Sequence, residues 1–248
     1  MHPSKTVPDV GDGQVEPPRT LVEDAYRRLR EDIVEGKHKP GTRLRVEHMK
    51  DGYGVGAGTL REALSLLVSD ALVVTEGQRG FWVAPISLSD LEDLTRTRIL
   101  IETEALRLSL RQGGDDWEGD LVAAFHRLTK IEEKGRRGPS QAKEWETCNK
   151  RFHDALISAA GSRWLTYLMG ILYRQHERYR RFAISTNPTK RDLHAEHTEL
   201  YEAALSRDEK RAVACLTRHV QLTCDAVRHK LNSDLRKLPA TGPRSMAE

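Results

Sequence analysis

The sequence predicts a mostly α-helical protein in two domains, and two observations support this prediction. Residues 87–232 show only helical periodicity, with apolar side chains at intervals of three and four. Residues 20–86 combine short helical patterns with one β-type stretch, VVTEGQRGFWVAP, in which β-branched and aromatic residues flank a glycine-containing turn. The stretch GRRGPS (135–140) is predicted as a loop inside the helical domain and not as a domain boundary.

Composition and charge exclude several classes of protein. No apolar run is long enough to span a membrane, and the N-terminal segment lacks the apolar core of a signal peptide. The chain has three cysteines, Cys148, Cys215 and Cys224, an odd number without the spacing of a metal site. This pattern predicts reduced thiols in a cytoplasmic protein. The net charge of +3 is too small to identify a partner. Residues 1–19, which are poor in apolar side chains, and residues 233–248 are predicted as disordered tails.

Three helices are predicted before the β-type stretch. The first covers residues 25–36 and ends at Gly36, a favourable C-terminal stop. A short second helix, RVEHMKDGY, and a third, TLREALSLLVSDAL, lie on either side of a glycine-rich segment. The residues expected to face the core of this domain are Tyr26, Leu29, Ile33, Val34, Leu60, Leu64, Leu67 and Ala71.

The glycine-rich segment GYGVGA has two interpretations. It fits the G-x-G-x-x-[GA] pattern of dinucleotide-binding loops, but such a loop follows a buried strand, and the preceding residues LRVEHMKD are polar and helix-like. The alternative is a helix-turn-helix with Gly54 in its turn and the hairpin behind it as a wing. Gly56 and Gly58 would then let the third helix lie close to a DNA backbone. Thr59 and Arg61 would point into the major groove or at phosphates.

Basic residues in the first domain are clustered. The segment GKHKPGTRLRVEHMK carries five Lys or Arg residues against one acidic residue, and Arg79 stands at the turn of the hairpin. A stripe of this kind supplies the phosphate contacts that DNA binding requires. The alternative interpretation is an ordinary helical hairpin whose charged face is only solvated. The predicted DNA-binding residues are Arg43, Arg45, Lys50, Gly58, Thr59, Arg61, Arg79 and Gly80.

One arginine interrupts an apolar stripe at the start of the second domain. The stripe consists of Leu91, Leu94, Ile101, Ala105 and Leu108. Arg98 lies in its middle, and a charge on a buried face is costly unless it is paired. Arg98 is therefore either part of a structural ion pair, for instance with Glu102, or a group directed into a cavity to hold an anion.

Three histidines, His153, His197 and His219, lie on the apolar faces of three separate predicted helices. A single histidine in such a position is usually a core residue with satisfied hydrogen bonds. Imidazoles from three helices of a bundle can also converge on a divalent metal, and spacing alone leaves both interpretations open. The helix 164–182 carries a further stripe that includes Arg178, a second candidate for a buried cation.

The motifs IVEGKHKPGTRL, LREAL and QRGFWV resemble the winged helix-turn-helix of GntR-type bacterial transcription regulators, in matching order over residues 20–86. The resemblance implies a domain that binds a double-stranded DNA operator, in a cytoplasmic, nucleoid-associated bacterial regulator. Many members carry Ser-Arg at the start of the recognition helix, where this sequence has Gly56 and Ala57. The base contact that this arginine often makes is therefore missing.

The motifs NKRFHDAL, AEHTELYEAALSRDEKRAV and LTRHV resemble the FCD ligand-binding domain, the all-α effector module of the FadR subfamily of these regulators. In metal-binding members an Asp and three His hold a divalent ion, and the match implies His153, His197 and His219 as ligands. Asn149 stands at the Asp position, and its amide oxygen can still coordinate without contributing charge. Zinc is the expected metal, with nickel, manganese and iron as alternatives.

The resemblance also implies an effector. Family members hold a carboxylate with an arginine on the first helix of the module, and RILIE places Arg98 there. The motifs EALRLSL, WETCNKRFHDAL and QHERYRR are similar to the carbon-starvation, glutarate-responsive repressors of the subfamily. A repressor that is released from its operator by glutarate or a similar dicarboxylate is therefore expected. The predicted effector-binding residues are Arg98, Gln175, Arg178 and Tyr179.

A homodimer is expected, because one helix-turn-helix covers only a half-site of a two-fold symmetric operator. The alternative function is a metal-dependent enzyme that uses the three-histidine site. No catalytic motif accompanies the histidines, and an enzyme would leave the first domain without a role. The sequence thus favours a DNA-binding regulator with an effector-binding helical bundle over an enzyme.

Overall fold

The computed structural model describes residues 20–77, 79–134, 138–184 and 191–235. Within these ranges the prediction of a mostly α-helical chain is confirmed, with three short strands confined to the N-terminal part. The predicted tail 1–19, residues 135–137 of the predicted loop and the end of the chain after residue 235 lie outside the described residues.

The N-terminal domain consists of α1 (Leu21–Val34), β1 (Arg43–Leu44), α2 (Val46–Tyr53), α3 (Ala57–Ser69), β2 (Val73–Thr75) and β3 (Phe81–Val83). The side chain of Thr20 accepts the backbone N–H of Glu23, and the carboxylate of Glu23 accepts the N–H of Thr20, so a capping box begins α1. The helix ends before Gly36, whose φ of 78° is the left-handed conformation that stops helices. Leu29 of α1 and Leu60 of α3 are fully buried in the core that these helices share.

The three strands form one antiparallel sheet in the order β1-β3-β2. Strands β2 and β3 are the predicted hairpin, with Thr75 opposite Phe81. Strand β1 was not predicted, because two residues are too short to show alternation, and it places Arg43 opposite Trp82. The prediction that Ala71 faces the core is wrong, since α3 ends at Ser69 and Ala71 is exposed with a φ of 56°.

The helical domain consists of α4 (Leu88–Gln112), α5 (Asp115–Lys134), α6 (Pro139–Ile157), a 3-10 turn (Ser158–Ala160), α7 (Arg163–Ile184), α8 (Leu193–Leu205) and α9 (Glu209–Leu235). Helix α4 packs against α7 and α9, and α5 packs against α6. Helix α9 reaches Leu235, so it extends three residues into the segment predicted as a tail. Among the described helices, none combines the length and apolar character needed to cross a membrane.

Helix α7 contacts both domains. The side chain of Gln175 donates to the backbone oxygen of Asp70 at 2.5 Å, and Arg174 forms an ion pair with the Asp70 carboxylate at 2.8 Å. Glu177 pairs with Arg30 of α1 at 2.9 Å. Because Asp70 caps the C-terminal end of α3, these bonds attach α3 and α1 directly to α7.

Candidate functional site

The beginning of α3 is open to solvent. Gly54 ends α2 with a φ of 66°, so the turn uses a left-handed residue where the sequence predicted it. Gly56 caps α3 without a side-chain hydrogen bond, and nothing lies within 4 Å of the position that a Cβ would take at Gly58. The first backbone N–H groups of α3 are therefore accessible, as an approaching phosphate requires.

Two of the predicted DNA-binding cations meet at one carboxylate. Arg61 on α3 is 56% exposed and donates to Glu47 of α2 at 3.1 Å. Lys50 donates to the other oxygen of Glu47 at 3.0 Å. Thr59 is partly buried in the first turn of α3, and Arg45 is exposed immediately before α2. The weak, exposed pairs with Glu47 leave both cations available for phosphates.

Arg43, a third predicted DNA-binding cation, holds the turn of the wing in place. The guanidinium of Arg43 donates to the backbone oxygen of Arg79 at 2.6 Å and lies 5.3 Å from the ring centroid of Trp82. Gly80 has a φ of 113°, which disfavours any other residue there. Arg43 and Gly80 thus shape the wing turn, and Arg79 is the exposed side chain that the turn presents.

The structure brings together the three histidines that the sequence singled out. His153 of α6, His197 of α8 and His219 of α9 are buried, and their candidate ligand nitrogens all lie within 4.8 Å of one another. The ring centroids of His197 and His219 are 4.9 Å apart. A cluster of this size matches the space around one ion.

Hydrogen bonds orient two of these rings. The Nδ1 of His197 lies 2.8 Å from Glu132, and the Nδ1 of His219 lies 2.9 Å from Glu196. Because a carboxylate only accepts, each Nδ1–H donates to its carboxylate, and Nε2 is the ring nitrogen left for a metal. The Nε2 of His197 is buried and has no hydrogen-bond partner in the described part of the chain. A carboxylate behind the imidazole is the arrangement that orients histidine ligands in metal sites.

The pKa values in the cluster favour metal ligation. Burial, followed by the neighbouring imidazoles, lowers the pKa of His153 and of His219 well below the usual value. Burial alone would raise the pKa of Glu132, but hydrogen bonds from His197 and His194 outweigh it and hold that pKa below its usual value. The His153 and His219 rings are therefore neutral near pH 7, so they can bind a metal without losing a proton, and Glu132 is ionised behind His197.

Asn149 is the fourth candidate donor of this site. It lies one helical turn before His153 on α6 and is buried. Its Nδ2 donates to the hydroxyl of Tyr173 at 3.3 Å, which leaves Oδ1 buried and without a partner among the residues described. Three imidazoles and an amide oxygen suit a divalent ion of the zinc type, so the residues present fit the implied metal.

Arg98 is paired in the structure. Its Nε and Nη2 donate to Oε1 of Glu102 at 3.0 and 2.5 Å, and both side chains are buried. The ion pair considered from the sequence is therefore present. Glu102 also lines a small cavity beside His153 and Tyr173, so the pair borders the histidine cluster.

The structure corrects the placement of Gln175, Arg178 and Tyr179. The guanidinium of Arg178 is buried but donates to the backbone oxygens of Ala84 and Pro85, after β3. Gln175 binds Asp70, and the hydroxyl of Tyr179 donates to Asp90 at 2.5 Å. Gln175, Arg178 and Tyr179 thus contact the N-terminal domain and the start of α4, and none of them lines the cavity.

The opposite face of α7, which carries the cavity-lining Tyr173, holds other buried polar residues that the sequence analysis missed. Tyr173, His176 and Arg180 are spaced by three and four, and all are buried. Arg180 forms a buried ion pair with Glu146 and donates to the Tyr173 hydroxyl at 3.1 Å. Their spacing was visible in the sequence, but α7 buries two opposite faces, and apolar periodicity identified only one.

Comparisons with known proteins agree with both halves of this description. Residues 21–83 match the model for bacterial regulatory proteins of the gntR family, and residues 93–222 match the FCD domain. The chain is 46% identical over 211 residues to BphR, an uncharacterized HTH-type transcriptional regulator of Paraburkholderia xenovorans (strain LB400), covering 85% of this chain and 86% of that protein. It is 34% identical over 201 residues to GlaR, an HTH-type transcriptional repressor of Escherichia coli (strain K12), covering 79% and 91%.

Solved structures share the fold. E. coli McbR/YncC superposes with a TM-score of 0.69 at 20% identity, covering 86% of this chain and 99% of that one. A GntR family transcriptional regulator from Pseudomonas syringae pv. tomato str. DC3000 gives a TM-score of 0.54 at 26% identity, covering 90% of each chain. The arrangement of a small N-terminal domain on a helical bundle is thus one that solved regulators also adopt.

Proposed function

This chain belongs to the GntR family of bacterial regulatory proteins and carries an FCD domain, and we propose that it is a repressor released from its operator by a small carboxylate. As a member of this family it is a DNA-binding transcriptional regulator and not an enzyme. The observation that carries the proposal is the buried histidine cluster with buried arginines near it, one of which, Arg180, lies on α7, the helix that contacts the winged domain. The domain limits that we propose are residues 20–86 for DNA binding and 87–232 for the effector.

A divalent metal, zinc first, is held by His153, His197, His219 and Asn149 in this proposal. The metal would supply a fixed positive centre in the bundle. The nearby ion pairs are Arg98–Glu102 and Arg180–Glu146, which are buried, and Arg191–Glu196, which is half-buried. Glu132 supplies one further negative charge, so a divalent ion would leave the interior with a net positive charge. Such an interior attracts an anion.

The effector that we propose is a short dicarboxylate, with glutarate as the first candidate and 2-hydroxyglutarate as the second. The cavity beside the cluster is bordered by the Arg98–Glu102 pair, and Arg180 replaces Arg178 as the second buried cation. The similarity to the HTH-type transcriptional repressor GlaR supports a repressor. Release requires that the ligand bind the DNA-free state more tightly than the DNA-bound state.

A homodimer in the cytoplasm, on a two-fold symmetric operator, completes the proposal. Each chain presents one winged module, which covers a half-site. Footprinting measures the length and symmetry of the protected DNA, and sedimentation of the complex measures the number of chains bound to it. A single chain bound at full affinity to one half-site would overturn this part.

The test of the function is release of DNA. The zinc-loaded protein first selects DNA fragments from a random pool. These fragments are the probes in a gel shift with increasing glutarate, 2-hydroxyglutarate or succinate. We expect dissociation by at least one dicarboxylate, with acetate and chloride at equal ionic strength as controls because salt alone weakens DNA binding. Retention of the complex at every dicarboxylate concentration would show that the effector class is wrong.

Replacing Asn149 by aspartate is expected to tighten zinc binding by about tenfold, because a carboxylate adds charge to a neutral ligand set. Zinc affinity is measured by competition with a chromogenic chelator. Gln112→Glu adds the same charge at the exposed end of α4 and controls for net charge. Equal affinity in wild type and Asn149→Asp would mean that residue 149 does not face the ion.

A further inference from the structure

Two buried polar groups beside the cluster are not explained by the metal ligands. His176 of α7 is 1% exposed, and its Nδ1 lies 3.2 Å from Nη1 of Arg180. The Nε2 of His176 and the Nε of Arg180 are both buried without a hydrogen-bond partner in the part of the chain that the structure describes. Because buried polar groups are normally paired, two unpaired neighbours indicate a partner that the chain itself does not supply.

The bond from Arg180 determines where the proton of His176 lies. A guanidinium only donates, so Nδ1 of His176 accepts with its lone pair. Burial and the positive charges of Arg98 and Arg180 lower the pKa of His176 well below its usual value, so the ring is neutral. His176 lies three residues after Tyr173 on α7, and Tyr173 lines the small cavity beside His153. The remaining proton is on Nε2, and the unpaired atom is a hydrogen-bond donor.

The unpaired atoms of this region therefore fall into two kinds. The Nε2 of His197, the Oδ1 of Asn149 and the Oε2 of Glu102 are atoms that can serve a cation as ligands. The Nε2–H of His176 and the Nε–H of Arg180 are donors, which suit an anion and not a metal. The bundle thus offers lone pairs for an ion and, from α7, N–H groups for a negatively charged ligand.

We propose that Nε2–H of His176 and Nε–H of Arg180 together bind a carboxylate of the effector. This inference rests on the function proposed above and names the donors of that site. Arg180 keeps its bonds to Glu146 and His176 through its other nitrogens, so the carboxylate breaks no existing bond. Charge-assisted bonds to a buried arginine are among the stronger hydrogen bonds in proteins.

Glutarate binding to the zinc-loaded full-length chain, measured by calorimetry, tests the assignment. His176→Phe keeps a ring and removes the donor, and we expect it to weaken binding by roughly tenfold or more. His176→Gln presents an N–H at a comparable distance along the side chain, so it should stay within about threefold of wild type. His126→Ala, at an exposed histidine of α5, is the matched control and should bind as wild type.

Zinc content and DNA affinity without ligand establish that each variant is folded. If His176→Phe loses zinc, His176→Met gives the same comparison with a more adaptable side chain. Equal glutarate affinity in wild type and the folded donor-free variant would overturn the role of His176 and leave the regulator proposal intact. If no dicarboxylate, including succinate and 2-hydroxyglutarate, binds or releases wild type, the effector proposal itself fails, and this inference fails with it.

Discussion

Replacing His197 by alanine is expected to abolish zinc binding, with an affinity loss of at least about 100-fold, since even loss of a residue behind a ligand costs 10- to 100-fold. His197 is fully buried, and its Nε2 is the clearest unpaired lone pair of the cluster. The variant also leaves Glu132 without its shortest histidine bond, at a cost of about 1–3 kcal/mol for a buried acceptor. Elemental analysis and chelator competition measure the metal, and calorimetry measures the melting temperature.

The melting temperature should fall for two reasons that can be separated. Loss of the metal removes about 2.7 kcal/mol when zinc is present at 100 times its Kd, and loss of the Glu132 bond acts without metal as well. Together they correspond to roughly 10 °C for a chain of this size. Comparing wild type and variant in the presence of a chelator isolates the second contribution.

His194→Ala is the matched control for this experiment. His194 also binds Glu132, at 3.0 Å, but it is 46% exposed and is not part of the cluster. We expect its zinc content to equal that of wild type, with a small change in stability. Normal zinc content in His197→Ala, or equal loss in both variants, would contradict the assigned ligand.

The prediction from sequence succeeded where a residue's surroundings are set by its own helix. His153, His197 and His219 each lie on a single apolar face, and their convergence follows once those faces form one core. Gly54 was assigned correctly because a two-helix turn needs a left-handed residue there. The mostly α-helical fold follows from the same periodicity.

The prediction was wrong where one helix is buried on two sides. On α7, apolar spacing identified the side that carries Arg178, which packs on the N-terminal domain. The opposite side, which includes the cavity-lining Tyr173, carries His176 and Arg180, and their polarity hides it from any search for apolar stripes. The partners Glu132 and Glu196 were also missed, because hydrogen bonds between helices leave no local pattern in the sequence.

Replacing Arg61 by alanine is expected to weaken specific DNA binding by about 1–3 kcal/mol, or roughly tenfold to 100-fold. Arg61 is exposed in the second turn of α3, whose start is free of side-chain caps. Its pair with Glu47 is a surface contact, so exchanging Glu47 for a DNA group has a small cost. Gel-shift titrations with selected DNA, and with unrelated DNA as competitor, measure the specific part.

The control must remove the same charge without disturbing α3. Arg174 is unsuitable although it lies on α7, because its ion pair with Asp70 holds the end of α3. Arg127 is exposed on α5, and Arg127→Ala should lower affinity only through the loss of one long-range charge. If both variants lose equal affinity, and the loss disappears at high salt, Arg61 acts only as a surface charge and the assignment of α3 as the recognition helix is wrong.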